Sequence, residues 1–578
     1  MRQKKLSKIL LTVLAVLWMS TLHLWANPVT ANQAEQTARK FLASRHRPLD
    51  LAATVANSPA AARSATPQEP LLHVFNIGHE EGFVILSGDD ATTTDILAYS
   101  DHGTFCYDSL PPNARAWIDG YAEQVADLRK CGAPKAVCRT VEYHPAIDSM
   151  LTCEWGQSSP YNDNCPKILG NSTVTGCVAT AMAQVLYFHR YKSVDQLQAE
   201  IPGYRCYTLW NNSFASVDPF PEGSPIDWAN MRDKYDASSI NVEKKAVAEL
   251  MAYCGAAVEM DYKPDGSGAR VESVLAAVKK YFGYSSDATI KYRDNFISDN
   301  WDRLIYNELR NQRPVILSGK GSDGGHAFVC DGYDGQGYYH INWGWDNLHE
   351  YNLYCTLQDL RSDYKSCTFN NDVRAVIGLY PETKPSYKEL LRLTIKEIEK
   401  KYYSYGKNTH VTLPFSFLMQ NRTSSTRSFA VRLALYQNEK RLEVFDESKD
   451  TPPYFDKITD YKLPLYIKMK LSDYPQGTYQ LKPECRVLDT DEWLLAEDAD
   501  RWYVDVTVTE TKVSFITHQY VEPEITLDDE PMSIATLRSE MPKAVYTLTG
   551  RKVGNNAEVI NRLPSGVYVS GGRKVMIK

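Results

Sequence analysis

The segment Thr-Gly-Cys-Val-Ala-Thr-Ala-Met-Ala-Gln, residues 175–184, decides how the centre of this 578-residue chain folds. Its small and apolar residues predict a helix over residues 175–191. Cys177 falls in the first turn of that helix. The partial positive charge at a helix N-terminus lowers the pKa of a thiol and favours the thiolate. The segment therefore predicts a reactive cysteine, although a lone cysteine in an apolar helix is more often a buried structural residue.

The residues next to Cys177 favour the reactive alternative. Gly176 leaves room for a substrate to approach the sulfur. The backbone N–H of Cys177 has no partner inside the helix, so it could donate to an oxyanion.

A second segment, Gly-Gly-His-Ala-Phe-Val at residues 324–329, supplies a candidate base. His326 follows Gly324 and Gly325 and precedes an apolar run, so we expect it at the start of a strand beside a loop. An imidazole within hydrogen-bond reach of a thiol forms a thiolate–imidazolium pair and later protonates a leaving amine. A surface histidine is the alternative for any single His.

Further candidates flank these two residues. Asn342 could orient the imidazole through its side-chain carbonyl, and Trp343 could shield that contact from water. Gln157 could donate a side-chain N–H to an oxyanion. His340 is a competing base, but its place in a strand favours a structural role. The chain order of glutamine, cysteine, histidine and asparagine–tryptophan is that of a papain-like protease.

At this point the sequence resembles the streptopain family of papain-clan cysteine proteases. Four segments carry the resemblance: WGQSSPYN (155–162), TGCVATAMAQ (175–184), GGHAFVCDGYD (324–334) and YHINWGW (339–345). Two earlier segments, GFVILSGDD (82–90) and ILAYSDHG (96–103), with a predicted helix ending in DLRK (127–130), resemble the inhibitory propeptide of that family.

The resemblance implies a cysteine endopeptidase made as a zymogen, with Cys177 as nucleophile and His326 as base and then acid. Gln157 would be the oxyanion donor, and Asn342 with Trp343 would orient the histidine. Gly324 and Gly325 would lie in the loop that lines the cleft. The family prefers a bulky apolar residue two positions before the cut. The resemblance implies protein substrates, host proteins among them, and no cofactor or metal.

The N-terminus resembles a secretory signal peptide over residues 1–26. A basic start precedes an apolar run too short for the ~20 residues of a membrane span. An uncleaved anchor is the alternative. Export would permit disulfides among the twelve cysteines, Cys131, Cys138, Cys153 and Cys165 included, with a pairing that the sequence leaves open.

The C-terminal part changes character after residue 382. Short runs of alternating apolar and polar residues predict a β-sandwich of immunoglobulin-like type. The tail, VYTLTGRKV (545–553) and LPSGVYVSGGRKVMIK (563–578), resembles the type IX secretion sorting domain of Bacteroidetes. That resemblance implies a small β-sandwich, export through the periplasm, recognition by outer-membrane secretion machinery, and a secreted or cell-surface protein.

The predicted fold class is therefore α+β, with an α+β propeptide, a papain-like domain, and two β-sandwich domains. The predicted boundaries are a signal peptide at 1–26, a propeptide at 27–143, a catalytic domain at 144–382, a β-sandwich at 383–520, and a linker with sorting domain at 521–578. Cleavage of the propeptide is expected between Arg129 and His144.

Composition and motifs narrow the function classes. A net charge of −7 and the lack of a dense basic stripe argue against nucleic-acid binding. No cysteine pair has the spacing of a zinc site. Two alternatives to a protease remain open: a surface binding protein that uses the protease-like domain as a scaffold, and a thiol acyltransferase or deamidase with the same residue pair.

Overall fold

The protein is described by a computed structural model. Its described residues are 26–47, 50–54, 70–137, 144–296, 298–321, 324–345, 351–357, 360, 372–382, 391–423, 426–445, 459–488, 490–518, 520, 522, 525, 545–547, 552–554, 566–570 and 573–577. Residues 1–25, most of the predicted signal peptide, lie outside this set.

The predicted propeptide is a small α+β unit. Four strands form an antiparallel sheet in chain order, and two helices pack on its opposite faces. The elements are α1 (Ala31–Ser44), β1 (Leu51–Thr54), β2 (Leu72–Ile77), β3 (Phe83–Ser87), β4 (Ile96–Ser100) and α2 (Pro112–Lys130).

Local sequence explains where these two helices begin. Thr30 and Gln33 form a capping box in which each side chain pairs with the backbone N–H of the other, so α1 starts at Ala31. Pro112 occupies the first position of α2, where its missing N–H costs nothing. The predicted helix that ends in DLRK (127–130) is confirmed, since α2 ends at Lys130.

The central region mixes helices with strands. Its elements are β5 (Lys167–Ile168), β6 (Asn171–Ser172), α3 (Cys177–Phe188), β7 (Tyr204–Arg205), β8 (Ser216–Val217), α4 (Asn241–Ala257), α5 (Ser273–Tyr281), β9 (Thr289–Tyr292), α6 (Ser298–Arg310), β10 (Val315–Gly321), β11 (Gly324–Tyr333), β12 (Tyr339–Asn342), β13 (Leu353–Cys355) and β14 (Arg374–Ile377). The predicted helix over 175–191 is confirmed but shorter, since it begins at Cys177 and ends at Phe188.

One sheet joins the propeptide to the central region. Among the described strands its order is β1-β2-β3-β4-β13-β12-β11-β10-β14-β9, and every pair is antiparallel. The joint is the pairing of β4 with β13, where Tyr99 lies opposite Tyr354 and Ala98 opposite Cys355. The rings of Tyr99 and Tyr354 stack across this joint at 5.1 Å.

The central part of this sheet separates two apolar cores. On one face Ala327 and Val329 of β11 pack with α3, α4 and α5. On the other face Phe328 and Cys330 pack with α6 and with α2 of the propeptide. Because side chains alternate along a strand, β11 contributes to both cores.

Two antiparallel sheets with a common core follow, so the predicted β-sandwich is present. One sheet has the order β15-β17-β20, and the other has the order β16-β24-β23-β21-β18-β19 with β22 beside β21. Its immunoglobulin-like type stays a prediction. The strands are β15 (Thr394–Ile398), β16 (Tyr402–Gly406), β17 (His410–Gln420), β18 (Phe429–Gln437), β19 (Lys440–Val444), β20 (Asp460–Lys470), β21 (Gly477–Val487), β22 (Leu494–Leu495), β23 (Val504–Val508) and β24 (Lys512–Thr517).

The described part of the tail is one antiparallel sheet of four strands in the order β26-β25-β27-β28. A second sheet is not among the described residues, so the small sandwich and the sorting role stay predictions. The strands are β25 (Val545–Thr547), β26 (Lys552–Gly554), β27 (Gly566–Ser570) and β28 (Arg573–Ile577).

Cys153 and Cys165, two of the cysteines among which export would permit disulfides, carry free thiols. Both side chains are buried, and neither forms the disulfide that export would permit. In the described ranges, no helix combines the length and the apolar character that crossing a bilayer requires.

An ionic and aromatic cluster fastens α1 to the central region. The Arg45 guanidinium pairs with the carboxylate of Asp334, which follows β11, and its Nη1 donates to the Tyr99 hydroxyl at 2.8 Å. The guanidinium also lies 4.5 Å from the ring centroid of Phe41 and 4.4 Å from that of Tyr99. The Asp334 side chain is only 4% exposed, so water screens this pair weakly.

We predict that Arg45→Met loosens α1. Removing one partner of a buried ion pair costs roughly 3 kcal/mol or more, on the order of 100-fold in the local opening equilibrium. Hydrogen exchange of the α1 amides in the full-length chain measures this change. Arg39→Met is the matched control, because Arg39 pairs with Glu35 on the exposed side of the same helix. Equal exchange in both variants would show that the cluster does not anchor α1.

Candidate active site

Cys177 is the first residue of α3 and is half-buried. The backbone N–H of Ala327 on β11 donates to its Sγ with an N···S distance of 3.4 Å. Ala327 follows His326 directly in the chain. The structure therefore brings the two sequence segments that carry the candidate nucleophile and base together.

The acidity of Cys177 differs from the prediction. Burial raises the pKa of the Cys177 thiol, and the N–H groups of Ala327, Val178 and Cys177 itself lower it by less. The predicted lowering of the pKa is wrong for the full-length chain, because the desolvation of the sulfur outweighs the helix N-terminus.

His326 is the third residue of β11 and is half-buried. It lies opposite Gly319 in the pairing of β10 with β11. Its predicted place at a strand start is confirmed. Its role as base stays a prediction.

Gln157 and Gly176 lie at the start of α3. Gln157 is 6% exposed, and its backbone carbonyl accepts the N–H of Thr175 at 3.2 Å. Gly176 has φ +85°, and a Cβ added there would lie 2.6 Å from Met260 Sδ and 3.0 Å from the Ser267 carbonyl oxygen. The positive φ and these contacts thus favour a glycine at 176 independently of the predicted space for substrate.

Asn342 is buried at the end of β12, and its side chain makes three hydrogen bonds. Its Oδ1 accepts from Gln184 Nε2 at 3.0 Å and from the Gly344 N–H at 3.0 Å. Its Nδ2 donates to the Cys153 carbonyl at 3.2 Å. The predicted bond from His326 to Asn342 is not among these contacts between described residues, and the orienting role of Asn342 stays a prediction.

Trp343 lies in the core that β11 shares with α2 and α6, and its predicted shielding role stays a prediction. Its indole N–H donates to the Tyr351 carbonyl at 2.9 Å, and its ring lies 4.8 Å from that of Phe328. Its carbonyl accepts from Nδ2 of Asn113, at the start of α2, at 2.7 Å. The predicted propeptide therefore contacts the tryptophan directly.

Gly324 and Gly325 were expected in a loop, but both are paired residues of β11, opposite Gly321 and Lys320. A Cβ added at Gly325 would have open space, since its nearest neighbour lies 4.0 Å away. Their role in substrate binding stays a prediction. His340 has the expected structural setting: its Nδ1 lies 2.6 Å from Oδ1 of the fully buried Asp331.

Metal ligation is not indicated within the described ranges, where no group of three or more His, Cys, Asp or Glu side chains has the arrangement of a metal site.

The chain matches two protein families. Residues 155–351 match the Peptidase C10 family, and residues 26–125 match the Spi protease inhibitor family. Streptopain of Streptococcus pyogenes is 32% identical over 383 residues, which cover 60% of this chain and 91% of streptopain. The thiol protease/hemagglutinin PrtT of Porphyromonas gingivalis is 29% identical over 378 residues, covering 62% of this chain and 42% of that relative.

Two solved structures from Prevotella intermedia are also similar. A prointerpain A fragment is 31% identical, covers 55% of this chain and 98% of that chain, and has a TM-score of 0.47. Active interpain A is 33% identical, covers 41% of this chain and 96% of that chain, and has a TM-score of 0.36.

These sequence matches define the class: the protein is a cysteine protease with an inhibitor domain of propeptide type. The chain belongs to the peptidase C10 family, that of streptopain. Both family matches end before the β-sandwich begins. The predicted domain boundaries stay predictions.

Sequence reasoning missed two residues of this site. Gln184 carries a signal, since it is a polar residue within the apolar helix that Cys177 begins. Asn113 carries none, because its partner Trp343 lies 230 positions away in the chain.

We predict that Cys177 of the full-length chain reacts slowly with iodoacetamide at neutral pH. Its raised pKa keeps the thiol protonated, so labelling grows only as the pH rises beyond the ordinary range of a thiol. The exposed Cys106 is an internal control, because the Ser109 hydroxyl and N–H lower its pKa. Mass spectrometry across a pH series measures both sites. A Cys177 labelling plateau below pH 7 would contradict the prediction.

We predict that Gly176→Ala lowers the free energy of unfolding by about 1–3 kcal/mol more than Gly170→Ala does. Both glycines have positive φ, but an added Cβ at Gly170 meets nothing within 4 Å. The comparison therefore isolates the clash with Met260 and Ser267. Urea unfolding followed by tryptophan fluorescence measures the difference, and equal loss in both variants would exclude the clash.

Proposed function

We propose that this chain is the precursor of a secreted cysteine endopeptidase in which Cys177 and His326 perform the chemistry. The observation that carries the proposal is the 3.4 Å contact between Cys177 Sγ and the N–H of Ala327. That contact sets the helix of the candidate nucleophile against the strand of the candidate base.

In the proposed reaction the Cys177 thiolate attacks the scissile carbonyl carbon and forms an acyl-enzyme. His326 gives a proton to the leaving amine and then takes one from the hydrolytic water. The Gln157 side chain and the Cys177 backbone N–H stabilise the oxyanion, and each such donor contributes roughly 3 kcal/mol to lowering the barrier.

Activation has to change the state of the thiol. Burial raises the pKa of Cys177 in the full-length chain, whereas the reaction needs a thiolate. Release of the propeptide would remove α2 from the sheet face and free the carbonyl of Trp343 from Asn113. The imidazole of His326 could then stabilise the thiolate as an ion pair.

The maturation cut is proposed between Ala136 and His144. Arg129 donates to Asp89 Oδ2 at 2.8 Å and to the Gly88 carbonyl, and Ala136 N–H donates to the Asp90 carbonyl at 2.9 Å. Residues up to 136 are thus held in the propeptide, which argues against a cut before them. The Cys177→Ala precursor is expected not to mature by itself.

The remaining roles rest on the family resemblance. Asn342 and Trp343 would position the histidine, and Gly176, Gly324 and Gly325 would line the substrate cleft. A bulky apolar residue is proposed two positions before the cut. The tail at 521–578 is proposed as the sorting signal for export, which makes the mature protein secreted or attached to the cell surface.

We predict that the activated wild-type protein hydrolyses unfolded casein in the presence of reductant and that Cys177→Ala does not. A thiol-alkylating epoxide is expected to abolish the activity of the wild type. Casein fragments resolved by mass spectrometry report both the rate and the residue two positions before each cut.

Cys106→Ala is the matched control, since it removes an exposed thiol outside the site. If the wild type cut nothing after removal of its propeptide while Cys177 still reacted with the epoxide, a thiol acyltransferase or deamidase would replace the protease. If the wild type neither cut casein nor reacted with the epoxide at Cys177, a surface binding protein that uses the protease-like domain as a scaffold would be favoured.

A further inference from the structure

A buried glutamine connects the helix of Cys177 to the strand that ends at Asn342. Gln184 follows Cys177 by two helical turns, has no exposed surface, and projects from the same side of α3. Its Nε2 donates to Asn342 Oδ1 at 3.0 Å. This is a direct side-chain bond between the nucleophile helix and β12.

The bond fixes the Asn342 amide in one orientation. Asn342 Oδ1 already accepts two donors, Gln184 Nε2 and the Gly344 N–H, and its Nδ2 is held by the Cys153 carbonyl. A carbonyl oxygen has two lone pairs, so its acceptor capacity is used up.

The turn that follows Asn342 also packs closely against α3. Gly344 has φ +74°, and a Cβ added there would lie 3.1 Å from Thr180 Cγ2 and 3.9 Å from Gln184 Oε1. Thr180 in turn donates its hydroxyl to the Gly176 carbonyl at 3.0 Å. The turn after Asn342 therefore lies close to Thr180, and Thr180 connects it to the first turn of α3.

The connection continues to the strand of His326. Asn342 lies opposite Val329 in the pairing of β11 with β12, and the ring of Trp343 packs on Phe328. Both β11 residues are within three positions of His326. A shift of Asn342 would therefore move the strand that carries the imidazole.

We propose that Gln184 is a positioning residue that sets His326 relative to Cys177 through Asn342. This proposal rests on the proposed protease chemistry of those two residues. Space filling does not explain the amide, because Gln184 Oε1 is buried without a hydrogen-bond partner among the described residues. An apolar side chain of equal length would avoid that cost, so the distinct contribution of the amide is its bond to Asn342.

The test uses Gln184→Met, which keeps the length of the side chain and removes the donor. In the activated enzyme kcat on a peptide substrate is expected to fall about 100-fold, the effect of a roughly 1 Å misplacement, with little change in KM. The alkylation of Cys177 at acidic pH, which reports the thiolate–imidazolium pair, is expected to be lost as well. Leu186→Met, a buried apolar exchange on the same helix, is expected to change neither readout.

A double-mutant cycle with Asn342→Ala completes the test. If Gln184 acts through Asn342, the double variant is no worse than Asn342→Ala alone. The proposal would be overturned if the losses of kcat in the two single variants multiplied in the double variant. A wild-type pH profile of Cys177 alkylation in Gln184→Met would overturn it as well. If Gln184→Met does not fold, Gln184→Leu is measured in the same way. A wild type that cuts no substrate would refute the proposed protease function. The pH profiles of Cys177 alkylation in the wild type and in Gln184→Met would still decide the role of Gln184.

Discussion

The structure depends on strand β11 being buried on both faces. Ala327 and Val329 belong to the core under α3, and Phe328 and Cys330 belong to the core shared with α2 and α6. The backbone N–H of Ala327 on the same strand donates to the sulfur of Cys177. One strand therefore packs against both the helix of Cys177 and the helix α2 of the inhibitor domain, so a shift of β11 would affect both contacts.

The inhibitor domain acts on the site as part of the fold rather than as an added cover. Its strand β4 extends the sheet at β13, and Asn113 of α2 holds the carbonyl of Trp343. An antiparallel ladder, a buried side-chain bond and an ion pair at Arg45 are lost together only if the unit leaves as a whole.

The sequence was sufficient to predict those elements whose deciding interactions are local in the chain. The apolar pattern after Gly176 and the pattern that ends in DLRK (127–130) each predict a helix, and the structure confirms both. The sequence was insufficient where the partner is remote. The two-residue pairing of β4 with β13 leaves no pattern in either strand. The raised pKa of Cys177 is of the same kind, since the helix N-terminus is a local property and the burial of the sulfur is a property of the whole fold.

The partners of Asn342 show why a correct motif does not establish a mechanism. The motif places an asparagine after the histidine, and the expectation that its oxygen accepts from the imidazole follows from chemistry alone. In the fold that oxygen has two other donors, one from the helix of the nucleophile. Buried amides of this kind contribute little net stability, because their desolvation offsets most of the bonds that they form. What they contribute is a single allowed geometry, and in a site where two reacting side chains come from different elements that geometry is what has to be specified.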